Sequence, residues 1–205
     1  MGNSTEILFI LQGLHETVSS KHTYFILILL VYIFTVLANL TLIGTVVLEK
    51  TLHEPMLIFV CNLCVNGILG ASIFYPKILV DLSSDFSVIS YEACLCQIFF
   101  LYSYVFCEYT TLSIMSYDRY IAICKPLNYH SIITPRKVMQ LLLLTWLSSI
   151  CESVVLAALV ARLPLCGFKI EKIYCTSWAV VKLSCVDTTI NNIYGQVQPP
   201  QDQMR

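Results

Sequence analysis

Residues 24–48 read YFILILLVYIFTVLANLTLIGTVVL, 25 positions without one charged side chain. About 20 apolar residues in a helix cross the hydrocarbon of a bilayer, so this run is long enough to span it. It is too long for the core of a secretory signal, and no small-residue cleavage site follows. Outward from it the pattern recurs. Residues 56–76 are uncharged up to Lys77, 93–117 are interrupted only by Glu108, and 138–161 only by Glu152. Lipid-facing strands would alternate over about ten residues, whereas these runs are continuous. The sequence predicts an all-α membrane protein with four transmembrane helices, at 24–48, 56–79, 93–120 and 138–161.

Composition agrees. The 205 residues are 57% hydrophobic and 12% charged, against about 25% charge in an average soluble domain, so the excess apolar surface calls for a lipid bilayer as partner. Twelve Lys plus Arg against thirteen Asp plus Glu give a formal charge of −1, leaving no basic field for nucleic acid. His15, His22, His53 and His130 are scattered through terminal and interspan segments, with no metal-ligand spacing, and no Gly-rich phosphate loop is present. Cys94 and Cys96 form only a weak likeness to a metal motif. The expectation is therefore no enzyme, no cofactor and no metal.

The segments around the spans have their own character. Residues 1–23 form an N-terminal segment, and 162–195 mix cysteines, aromatics and basic residues in the manner of a long ordered loop. Residues 196–205 are a divergent polar tail with Pro199, Pro200 and four glutamines. Asn3-Ser4-Thr5 is a glycosylation acceptor, which is modified only on the lumenal side and puts the N-terminus outside. Asn39-Leu40-Thr41 fits the same pattern but lies within the first span. The segment between the third and fourth spans carries Arg119, Lys125, Arg136 and Lys137, which suits a cytoplasmic loop. The loop after Arg162 is equally basic, so charge alone does not orient the chain. Cys94, Cys96, Cys166, Cys175 and Cys185 fall on the side of the N-terminus, where disulfides form.

At the end of the third span stands Met115-Ser116-Tyr117-Asp118-Arg119-Tyr120-Ile121-Ala122-Ile123-Cys124-Lys125-Pro126-Leu127. An acid beside an arginine at a helix end can be plain interfacial charge. The whole string, however, strongly resembles the signature of odorant receptors within the rhodopsin-like G-protein-coupled receptors. Ala38-Asn39, Pro55-Met56, Pro76-Lys77, Trp146 and Leu183-Ser184-Cys185 fall in the same order, and the likeness runs from Asn3 to about Gly195.

The resemblance implies a seven-helix bundle in the plasma membrane that binds a small organic odorant and activates a heterotrimeric G protein. It implies that Asp118 holds Arg119 in the inactive state, that Asp118, Arg119 and Tyr120 form the coupling site, and that Cys94 bridges to Cys175 and Cys166 to Cys185. Cys96 is then spare, and the sequence alone leaves the pairing of these five open. Ile98, Leu101, Tyr102, Val105 and Phe106 recur at helical spacing, which on physical grounds is a packing stripe. By the resemblance they line the ligand pocket.

Two features depart from the family. Asn66-Gly67 stands where an aspartate is common in the second span, and with Glu108 that aspartate would be expected to form a sodium site. Glu108 read by itself is a mid-membrane acid that costs free energy to bury, satisfied by an ion or by a hydroxyl such as Thr111. Glu152, near Ser148, Ser149 and Ser153, reads as a packing or interface group. The second departure is that the likeness ends where a fifth span should open, at Thr188 to Gly195. These residues alone are therefore expected not to signal and to be retained in the endoplasmic reticulum or to pair with another chain. A non-signalling fragment is one rival reading. A four-span scaffold such as a tetraspanin is another, but it places its large cysteine loop between spans three and four, where this chain is short and basic.

Overall fold

The computed structural model describes residues 8–11, 18–49, 54–84, 87–170, 172–186 and 188–189. Among them, four helices are long and apolar enough to cross a membrane, so the chain is a multi-pass all-α membrane protein. These helices are α1 (Val18–Leu48), α2 (Pro55–Ser83), α3 (Tyr91–Cys124) and α5 (Pro135–Ala161). A 3-10 turn, Pro126–Asn128, and a short helix α4 (Tyr129–Ile132) connect α3 to α5. The helices run past the apolar runs that announce them, because a polar residue ends the hydrocarbon match without ending the backbone hydrogen bonding.

Local chemistry explains the ends. Pro55 opens α2 and Pro135 opens α5, in the first turn where a missing N–H costs nothing. Thr134 accepts the Lys137 N–H through its hydroxyl at 3.3 Å, capping α5. α3 stops at Cys124, since Pro126 drives Lys125 out of helical geometry, to φ −136° and ψ 53°. Hydroxyls inside the spans turn back on their own helix: Thr41 to the Leu37 carbonyl, Thr110 to Phe106 and Ser116 to Leu112. Such bonds let serine and threonine face lipid without an orphaned donor.

The described residues divide into two compact units. One comprises the described parts of 1–28, 75–100 and 153–205. It holds a three-stranded sheet that the sequence did not announce, in the order β2 (Val88–Ser90), β1 (Leu8–Leu11), β3 (Lys169–Ile170). β1 runs antiparallel to β2, with Phe9 opposite Ile89, and parallel to β3, with Leu11 opposite Ile170. Alternation buries Phe9 and Leu11 and exposes Leu8 and Ile10. Within the loop after α5 lies α6 (Ser177–Val181), capped by Thr176, whose hydroxyl accepts the Ala179 N–H at 3.2 Å. Lys77 pairs with Asp81 on α2 and donates to the Val88 carbonyl at 3.1 Å, tying that helix to the sheet.

The other unit comprises residues 29–74 and 101–152. Its apolar centre is Phe59, Ile121, Ile133 and Val138, with Tyr129 and Ile132 packed against it. A polar chain crosses the same unit: Trp146 Nε1 donates to Asn62 Oδ1 at 2.9 Å, and Asn62 Nδ2 donates to Thr111 Oγ1 at 2.9 Å. Asn66 donates to the Tyr104 carbonyl at 2.9 Å. Beside it, Gly70 lets the Tyr104 ring approach so closely that an added Cβ would lie 2.6 Å from the ring.

Candidate functional site: the end of the third span

α3 carries most of the residues singled out in the sequence. Asp118 is 1% exposed, although it sits within two turns of the helix end. Arg119 follows it by about 100° round the helix, and its side chain is 49% exposed. The two form an ion pair, Arg119 Nη2 to Asp118 Oδ2, at 3.3 Å. Tyr120, the third member of the triplet, is exposed.

The sequence reading missed Tyr129. Its hydroxyl donates to Asp118 Oδ1 at 2.8 Å, so α4 and α3 meet on the buried carboxylate. Burial first, then the hydrogen bond to Asp118, push the Tyr129 phenol up to about 12. The signal in the sequence was an aromatic that follows a Pro-Leu-Asn turn; nothing in its spacing singles out Asp118 as its partner. A second feature is apolar: Ile123 and Leu127 are 77% and 100% exposed. Tyr120 is exposed as well.

The α3 stripe is placed as follows. Ile98, Val105 and Phe106 are buried, Leu101 and Tyr102 are half-buried, and the Tyr102 and Phe106 rings lie 6.1 Å apart. Glu108 is half-buried. The Thr111 hydroxyl, offered in the sequence as a partner for Glu108, instead donates to the Cys107 carbonyl at 2.6 Å and accepts from Asn62. Gly67 lies against the side-chain amide of Asn39, 3.6 Å from where its Cβ would stand. Among the described residues no group of three His, Cys, Asp or Glu is placed to hold a metal ion. Glu152 is exposed, and the hydroxyls of Ser148 and Ser149 turn to the Thr145 carbonyl.

The cysteines pair as Cys94–Cys175 and Cys166–Cys185, with Cα separations of 5.5 and 5.4 Å. Cys96 is an exposed free thiol. Gln97 Oε1 accepts the Cys175 N–H at 3.0 Å and so adds a second tie between α3 and the loop. Asn3, the glycosylation acceptor, and the tail 196–205 lie outside the described residues.

Comparison with known proteins bears on the same features. A family model described as "Olfactory receptor" matches residues 28–198. Human olfactory receptor 4K2 is 34% identical over 196 residues, covering 95% of this chain and 62% of the relative. Human olfactory receptor 6N1 is 37% identical over 192 residues, covering 93% and 62%. Olfactory receptor 1D2 of Pongo pygmaeus is 35% identical over 193 residues, covering 93% and 62%. The chain thus spans about three-fifths of the length of the curated relatives it matches. With four apolar helices, the two disulfides and the Asp118–Arg119 pair at the end of the third, and with a family match over most of its length, the chain belongs to the olfactory receptor family.

Proposed function

We propose that this chain supplies the first four spans of an odorant-detecting G-protein-coupled receptor of the plasma membrane, with its N-terminus outside. In this reading Ile98, Leu101, Tyr102, Val105 and Phe106 form one wall of a mostly apolar pocket, which selects small organic ligands by shape. Arg119, with Asp118 and Tyr120 beside it, faces a heterotrimeric G protein from the cytoplasm. Odorant binding shifts the balance between a state in which Arg119 is held beside Asp118 and one in which it is free.

The observation that carries the proposal is the contrast between a carboxylate that is 1% exposed and the neighbouring guanidinium that is 49% exposed. Plain interfacial charges would both face water. Here one charge is fixed inside the protein while the other is available to a partner, one helical turn before the exposed Ile123. Burying an acid at that position costs several kcal/mol unless it is paired, so the arrangement favours a held arginine over incidental charge.

A receptor of this family needs spans five to seven to complete the pocket and the cytoplasmic cleft. The test is therefore made by complementation. The 205 residues are expressed with an olfactory-type G protein, alone and together with a segment carrying spans five to seven of olfactory receptor 4K2, and screened against an odorant panel. The proposal expects retention in the endoplasmic reticulum and no second-messenger response from the chain alone, and a dose-dependent response from the pair. Two halves that reach the surface together and stay silent to every odorant contradict it and favour the non-signalling reading.

A further inference from the structure

Two successive amides of β1 serve two different neighbours: the Ile10 N–H donates to the Phe168 carbonyl at 2.8 Å, and the Leu11 N–H donates to the Ser87 carbonyl at 2.9 Å. β1 is the middle strand, so β2 and β3 are paired to it and not to each other. Strands of three and two residues do not stay ordered by themselves, which makes residues 8–11 the element that holds both. Its side chains seat it. Phe9 is 0% and Leu11 6% exposed, opposite Ile89 and Ile170, themselves buried. The Phe9 ring lies 6.2 Å from that of Tyr91 at the start of α3, and the Tyr91 hydroxyl donates to the Ala161 carbonyl at the end of α5 at 3.1 Å.

β2 and β3 lead to the same place. Ser90 stands about one helical turn before Cys94, and the chain from Ile170 leads to Cys175, which is bonded to Cys94. Beside them Gln97 Oε1 accepts the Cys175 N–H at 3.0 Å, and the next residue, Ile98, is 0% exposed, covered by residues of this chain alone. β1, the disulfide and Gln97 thus close a ring of contacts around the start of α3. The disulfide is covalent. β1 is held by a few hydrogen bonds and two apolar anchors, and short elements of this kind open at a free energy well below that of global unfolding.

We propose that residues 8–11 are a releasable strap. Seated, they join β3 to β2 and keep the loop after α5 down on α3 at Ile98; released, they leave that loop restrained by its disulfides alone and open this end of the α3 stripe. The strap is a property of the chain's own fold. That its release admits an odorant rests on the receptor reading above, in which Ile98 is the outermost residue of the pocket wall.

The strand register supplies a lock. Ile10 stands opposite Val88, both are exposed, and Leu11 with Ser87 forms the adjoining hydrogen-bonded pair, so Ile10 and Val88 are a non-hydrogen-bonded pair with close Cβ atoms. Ile10→Cys combined with Val88→Cys is expected to cross-link, as read by peptide mapping; a chain that never cross-links overturns the placement of the strap. Access is then measured in the 205-residue chain in lipid nanodiscs carrying Ile98→Cys, with N-ethylmaleimide labelling followed site by site and the exposed Cys96 as internal reference. Phe9→Ser with Leu11→Ser is expected to raise labelling at position 98 severalfold relative to Cys96 while the buried Cys107 stays unlabelled, and the cross-link is expected to suppress it. Unchanged labelling at position 98 overturns the strap, and labelling that rises at Cys107 as well overturns it in favour of a strand that merely stabilises the fold. In the complemented receptor, the cross-linked form is expected to respond to odorant severalfold more slowly than either single cysteine variant, and an equal onset overturns the role in ligand entry. If neither the parent nor any variant responds to any odorant, it is the receptor reading that fails, and the labelling still decides the strap.

Discussion

The indole of Trp146 donates to Asn62 Oδ1 across 2.9 Å, and the same amide donates to Thr111 Oγ1 at 2.9 Å. One side chain thus joins α2, α3 and α5 within one compact unit, in a region where water is not at hand to replace a lost partner. Interhelical hydrogen bonds in membranes are modest individually, on the order of 0.6 kcal/mol with a ceiling near 2.

Asn62→Ala removes both bonds at once and leaves the Trp146 N–H without an acceptor. It is expected to lower the stability of the detergent-solubilised chain by about 1–3 kcal/mol, read as a lower thermal midpoint, with Trp146→Phe costing less because Asn62 keeps Thr111. An Asn62→Ala chain that melts with the parent would show that the network carries no stability.

Gly70 makes a steric prediction. An added Cβ would come within 2.6 Å of the Tyr104 ring and 3.1 Å of its Cγ, where the side chain cannot swing away freely. Gly70→Ala is expected to cost about 1–3 kcal/mol by overpacking, and Tyr104→Ala in the same chain to recover part of it. Equal stability of Gly70→Ala and parent would contradict the contact.

The disulfides are open to chemical test. Cys94–Cys175 is separated by 81 residues and Cys166–Cys185 by 19, and closing loops of these sizes contributes about 2–5 kcal/mol each. Peptide mapping without reduction should recover these two pairs and a free Cys96, and in the complemented receptor Cys175→Ser should lower surface expression more than Cys96→Ser. Recovery of Cys96 joined to Cys175 would overturn the pairing.

How much was legible follows from what each feature depends on. The four spans were readable because lipid imposes a length of apolar sequence on each helix independently of its neighbours. The sheet was not, because its strands are two to four residues long and the partners of Leu8–Leu11 lie some 80 and 160 positions away, at Val88–Ser90 and Lys169–Ile170. α6 was readable in principle from Thr176 ahead of an apolar stretch. At the end of the third span the Asp118–Arg119 pair stood out through its motif, whereas Tyr129 carries no sequence mark of its contact with Asp118. Thr111 shows the opposite failure: proximity in sequence offered it to Glu108, but its hydroxyl is taken by its own helix and by Asn62.

Topology gives a further test, independent of signalling. If Asn3 is outside and Arg136 and Lys137 are cytoplasmic, glycosidase should increase the gel mobility of the expressed chain, and Asn3→Gln should abolish that shift. Glycan added to a sequon engineered within 128–134 would reverse the orientation and remove Arg119 from the cytoplasm.

The most direct measurement of the central claim is the odorant dose-response of the complemented receptor with and without Arg119→Ala, taken together with odorant binding to the same preparations. The account predicts that binding persists while the second-messenger response is lost, because the substitution removes the group proposed to meet the G protein and leaves the apolar α3 stripe untouched. A response to odorant that survives Arg119→Ala at full amplitude would contradict it.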